Sequence, residues 1–176
     1  MSLFSVDTEF DGPNSYVNSM IEIGVVLIDA EHKLDETFYG RLRPIHDEYV
    51  QEALDITGYS REETMEFDDA ATTMQRLYDW ITEHNRPDRR RPRMLVDNPG
   101  CDWMYVNPYF HTFCKDNPFG YSHFSLTSAW QGFVKTPYKS FKHLRKTKHT
   151  HNPVDDAKGN AEAFIAMIEM GFKYKL

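Results

Sequence analysis

The chain has 176 residues, 40% of them hydrophobic and 14% aromatic, and a formal net charge of −7. Such a length and composition suit one domain over residues 1–176 with a full core, and they exclude a disordered chain. No apolar run approaches the roughly 18 residues of a membrane span, and the acidic balance excludes a protein that coats nucleic acid by bulk attraction. Asp7 and Glu9 interrupt the N-terminus early, so no secretory leader is expected. Cys101 and Cys114 supply neither a disulfide framework nor a zinc set, and the expected compartment is the cytoplasm.

Leu3 to Val6 opens as a short apolar strand ending in Asp7-Thr8-Glu9-Phe10. Ser19 to Ile28 is rich in branched residues and reads as a buried strand, and Asp35 to Leu42 alternates as a third. The period then changes. Glu48 to Ile56 reads as a short helix stopped at Gly58, and Ala70 to His84 as a longer one capped by Asp68 or Asp69. Met94-Leu95-Val96 is a short strand, and Asp102 to Cys114 an aromatic-rich helix with Pro108 near a kink or its start. Lys139 to Lys146 is expected to form one short helix, and Asp155 to Met170 the last, stopped by Gly171. Strands first, then alternating helix and strand, mean α/β with a mixed sheet.

Charge is unevenly spread. Asn117 to Val154 contains no Asp or Glu, while Lys135, Lys139, Lys142, Arg145, Lys146 and Lys148 accumulate there. Arg86, Arg89, Arg90, Arg91 and Arg93 form a second basic cluster, for which a solvated loop is an equal reading. The acid-free segment, with Tyr138, Phe141 and His143 among its lysines, is the better candidate for tracking a nucleic-acid backbone.

Asp7 and Glu9 stand two apart on a strand, so both side chains share a face. Paired carboxylates facing a core are costly unless protonated or neutralised by a cation. Hard divalent ions prefer all-oxygen ligands, and two such ions can clamp the attacking and leaving oxygens of a phosphodiester. That chemistry asks for three or four carboxylates and a base, with Asp102, Asp156 and His151 as candidates. Singly, each has a bland reading: a solvated strand end, a helix N-cap, an acidic first turn, a loop histidine.

Their order changes the weighting. Asp7-Thr8-Glu9-Phe10-Asp11-Gly12 resembles the first motif of the DnaQ-like (DEDDh) 3′→5′ exonucleases, Asp-x-Glu-x-x-Gly. Val96-Asp97-Asn98-Pro99-Gly100-Cys101-Asp102 looks like the second, and His151-Asn152-Pro153-Val154-Asp155-Asp156-Ala157 matches the third. Leu54 to Tyr59 is similar to the family's segment between the third strand and the next helix. The resemblance covers essentially the whole chain. It implies a ribonuclease H-like fold, a five-stranded mixed sheet flanked by helices. It further implies Asp7, Glu9, Asp102 and Asp156 as ligands of two divalent cations, Mg²⁺ or Mn²⁺, with His151 as general base. Asp97 competes with Asp102, which is preferred because it opens the helix facing the site. His149 and Asp155 compete with His151 and Asp156, and only the latter pair shows the five-residue interval.

The same resemblance places Thr8 and Phe10 beside the terminal nucleotide, with core packing an equal role for Phe10, and gives Asn98 either a substrate contact or a turn cap. It implies an exonuclease releasing nucleoside monophosphates from a 3′ end. RNA is the preferred substrate, because the short chain looks most like small stand-alone exoribonucleases such as the RNase AS-like group. A stand-alone DNA exonuclease and a catalytically silent nucleic-acid-binding module are the alternatives. Nucleic acid is the expected partner, no membrane is expected, and a homodimer is expected by analogy with those branches.

Overall fold

Branched and aromatic residues crowd the first third of the chain, where the computed structural model, which describes residues 2–85 and 91–174, has three consecutive strands. These are β1 (Leu3–Phe10), β2 (Met20–Ile28) and β3 (Thr37–Arg41). They form an antiparallel meander. β4 (Arg93–Val96) then adds parallel to β1, and β5 (His123–Ser125) parallel to β4, giving one mixed sheet of order β3-β2-β1-β4-β5. The expected five-stranded mixed sheet is present.

Alternation along β1 sends its side chains to two different cores. Phe4 and Val6 pack with Met20, Ile23 and Met94 beneath α3 (Ala70–His84) and α4 (Asp102–Phe113). Leu3 faces the other way, joining Leu95, Leu126, Trp130 and Phe164 under α5 (Leu126–Val134) and α6 (Pro153–Glu169). Ser5, Asp7 and Glu9 follow Leu3 on that second face, so β1 turns from apolar to acidic as it leaves the core.

Between β3 and α3 lie α1 (Gln51–Thr57), closed by Gly58 at φ 78°, and α2 (Arg61–Met65). Asp69 caps α3 by accepting from the Thr72 N–H, as its sequence position predicts. Several expectations shift. α2 was not anticipated, although Ser60 and Glu63 form a reciprocal capping box. Pro108 lies inside α4 rather than at its start. The acid-free segment holds β5 and α5, and instead of a helix over Lys139 to Lys146 there is a single 3₁₀ turn at Lys142–Leu144. Extended backbone at Arg145 ends that turn and carries the chain back towards the sheet.

Arg86, Arg89 and Arg90 lie outside the described residues. Among the described residues, no helix is long and apolar enough to cross a membrane.

Candidate active site

β1 brings Asp7 and Glu9 out at the end of the sheet, opposite Gly24 and Glu22 of β2, and a register shift follows Glu9. The helix facing them is α6, and its first turn comes very close. A Cβ on Gly24 would stand 2.2 Å from the Pro153 carbonyl carbon and 2.3 Å from the Val154 nitrogen. Only glycine leaves room for that approach, and the approach is what brings Asp156 to the strand. Asp7, Glu9 and Asp156 each present a carboxylate oxygen within 4.8 Å of the others.

The turn before α6 is built for this delivery. Asn152 accepts from the Val154 and Asp155 N–H groups, and Pro153 occupies the first helical turn, where its missing N–H costs nothing. His151 is left-handed, with φ 58°, a conformation unfavourable for a residue with a Cβ. This conformation goes with a hydrogen bond from its N–H to Asp156 Oδ2 at 3.1 Å. The His151 ring lies at the solvent edge with Nδ1 3.8 Å from Glu9 Oε1. His149, its rival, also reaches the site: its Nδ1 lies 2.8 Å from Asp156 Oδ1, and its ring packs edge-on against His151 at 4.3 Å. Asp155 takes no part and accepts from the Thr150 hydroxyl instead.

Asp102 approaches from the opposite side of the sheet, at the start of α4. Its Oδ1 accepts from the Thr8 N–H at 3.1 Å and from the Thr8 hydroxyl at 3.0 Å. Thr8 alternates with Asp7 and Glu9, so this contact fastens Asp102 beside the group of three rather than within it. Thr8 is therefore buried, with its hydroxyl committed to Asp102. Asp97 is held elsewhere, by the Thr127 hydroxyl at 2.6 Å and by Arg145 at 3.3 Å. Asn98 acts as a turn cap, accepting from the Gly100 N–H. Phe10 stacks on the buried Tyr105 at 4.9 Å, the packing role that its sequence left open.

Gathering these acids has an electrostatic consequence. Asp102 and Asp156 are only 5% and 1% exposed. Burial, reinforced by Asp102, Glu9 and Asp156, holds the Asp7 carboxyl well above the usual range. Burial, then Glu22, Asp156 and Asp102, pushes Glu9 up to about 8. Burial also raises Asp102, although the two bonds from Thr8 oppose it. The donor set is all oxygen, and burial disfavours the charged forms of Asp7, Glu9 and Asp102, so a hard divalent cation fits it on both counts.

Glu22 was not anticipated. It is buried directly across from Glu9 and accepts hydrogen bonds from Tyr39 and, at 3.2 Å, from Tyr59. A glutamate inside an otherwise apolar strand was the signal that could have marked it. Asp11 is likewise structural: fully buried, it pairs with Arg61 at 2.7 Å and accepts from the Ser19 N–H, which ties α2 to the end of β1.

No family model matches the chain. It is 27% identical over 180 residues to an Escherichia coli protein named 3′-5′ DNA exonuclease Cap18, covering 98% of this chain and 94% of that one. The nuclease domain of 3′hExo, described as a DEDDh family member bound to rAMP, superposes with a TM-score of 0.80. Identity there is 18%, and the match covers 99% of this chain and 97% of that one. A zinc-bound E. coli ExoI–ssDNA complex gives 0.73 at 16% identity, over 96% of this chain and 40% of that one. The chain thus has the ribonuclease H-like fold of these nucleases, and along nearly its whole length its sequence is similar to that of a 3′-5′ exonuclease.

Proposed function

We propose that the chain is a metal-dependent 3′→5′ exonuclease that removes nucleoside monophosphates one at a time from a nucleic-acid end. The observation carrying this reading is the meeting of Asp7, Glu9 and Asp156, drawn from opposite ends of the sequence, within 4.8 Å beside a buried Asp102. Those four residues would hold two divalent cations, Mg²⁺ or Mn²⁺. Such ions, when bound, make water acidic enough to attack and offset the charge on the leaving 3′ oxygen. His151 takes the proton of the attacking water: its ring stands at the solvent edge beside Glu9, and its backbone is fixed on Asp156. His149 steadies Asp156 through Oδ1, the oxygen that the His151 N–H does not use. Phe10, half-buried on Tyr105, lines the place of the terminal base.

For the substrate, the name of the E. coli relative, matched over nearly the whole chain, favours a DNA 3′ end. RNA, the preference drawn from the sequence, is kept as the second reading by the ribonucleotide bound to 3′hExo. In either case the exposed Lys135, Lys139 and Lys142, with Tyr138, form the face along which the strand's phosphates run. Matched DNA and RNA oligonucleotides, each also in a 3′-phosphate-blocked form, test both statements. DNA is expected to shorten faster, and the blocked ends to resist. Equal cutting of blocked strands at internal positions contradicts the 3′-end reading.

A further inference from the structure

Arg145 belongs to the basic stretch before His151, but it behaves unlike the lysines around it. Those lysines are exposed, whereas the Arg145 side chain is only 7% exposed. Its Nη2 donates to Asp97 Oδ2 at 3.3 Å and to Asn160 Oδ1, and its guanidinium carbon lies 5.4 Å from the centre of the Phe141 ring. Room for it is made on α6, where a Cβ on Gly159 would meet Arg145 Cδ at 3.0 Å and the Thr147 carbonyl oxygen at 3.2 Å. Glu162 secures the next two residues, accepting from the Lys146 N–H at 2.8 Å and the Thr147 N–H at 2.7 Å. The position is built, not incidental.

Its two anchors point to the carboxylate cluster. β1 and β4 pair in parallel with Ser5 opposite Leu95, and Asp97 directly follows β4, so it leaves the sheet at the same end as Asp7. Asn160 follows Asp156 by four residues on α6, one turn along the same face. The guanidinium is therefore bracketed by a neighbour of Asp7 and a neighbour of Asp156. Its Nε and Nη1 have no hydrogen-bond partner in the structure, so local bonds use only one corner of the fork. The charge accordingly acts on Asp7, opposing the upward push of burial there.

We propose that Arg145 is a positioning residue, a built-in counter-cation standing behind Asp7 and Asp156 that holds the acids together and sets how strongly they take up divalent ions. This rests on the metal-dependent reading above. A fixed positive charge near the cluster relieves repulsion among the carboxylates, and it also repels an incoming cation. At alkaline pH the repulsion of the incoming cation is the larger effect, so removing the charge tightens metal binding. Loss of a purely structural support would loosen it.

The test is calorimetric titration of the full chain with Mn²⁺ at pH 8.5, without substrate. Arg145→Gln is expected to bind Mn²⁺ about five-fold more tightly than the parent, and Arg145→Lys, which keeps the charge, within about two-fold of it. Asp97→Asn, which leaves Arg145 without its counter-charge, is expected to bind about five-fold more weakly. If Arg145→Gln does not fold, the double variant Arg145→Gln/Asp97→Asn is compared with Asp97→Asn alone: about five-fold tighter uptake by the double variant supports the proposal, and equal or weaker uptake overturns it. Unchanged or weaker binding by folded Arg145→Gln, with normal binding by the parent, overturns the role of Arg145 alone. No Mn²⁺ uptake by the parent overturns the metal-dependent reading and this proposal with it.

Discussion

Burial moves the carboxyls of Asp7, Glu9 and Asp102 in one direction; neighbouring acids add to it at Asp7 and Glu9, while the bonds from Thr8 oppose it at Asp102. A carboxyl whose folded-state pKa is raised binds its proton more tightly in the folded protein than in the unfolded chain. Its stabilising contribution is complete below the unfolded value, near 4.5 for Glu9, and is lost as pH rises through about 8. The metal-free protein should thus lose thermal stability between about pH 5 and pH 8.5. Mn²⁺ should raise the melting temperature most at the alkaline end, where it replaces the lost protons. Melting curves with chelator and with Mn²⁺ check this, and a melting temperature that climbs with pH in chelator contradicts it. The two histidines separate by a different experiment. His151→Ala should lower kcat by about 10²–10⁴-fold with little change in Mn²⁺ affinity. His149→Ala should leave most of the turnover intact. The reverse ranking would make His149 the base.

Gly24 shows how one element aims another. Alanine there would press on the Pro153 backbone at 2.2 Å, and backbone cannot rotate away. Gly24→Ala should cost about 1–3 kcal/mol, or roughly 2–4 °C of melting temperature per kcal/mol for a chain of this size. Activity should fall further than stability does, because α6 carries Asp156 and follows directly on His151. Gly132→Ala in α5, where nothing lies within 4 Å of the new Cβ, is the control and should be neutral or stabilising. If both variants melt and cleave alike, the close approach of α6 to β2 has no functional weight. The same scale explains what the sequence revealed. α3 and α6 have caps and long apolar periods, so both were legible. β5 has three residues and α2 five, too short for a periodic pattern, and the backbone of 135–150 follows Asp97 and Glu162 rather than its own propensity.

Across the whole molecule, the site was legible to the extent that its signals were local. Asp-x-Glu, and His followed five residues later by Asp, are intervals that can be read along the chain, and Asp7, Glu9, Asp156 and His151 do converge. Asp102 was distinguishable from Asp97 only by its place at the start of α4, and the structure separates them through Thr8 and Arg145. Glu22 and Arg145 acquire meaning only by tertiary pairing: one is set across a strand from Glu9, the other is buried by Gly159 and Asp97. An arginine among lysines gives no local sign of being buried.

The central claim is that acids from both ends of the chain hold cations that cut a strand from its 3′ end. The most direct measurement is a time course on a 5′-labelled single strand with Mn²⁺, with chelator, and with Asp156→Asn in Mn²⁺. A ladder descending from full length in the first reaction, and uncut strand in the other two, is the predicted result. Cleavage that persists in chelator, or that is undiminished in Asp156→Asn, would contradict the account.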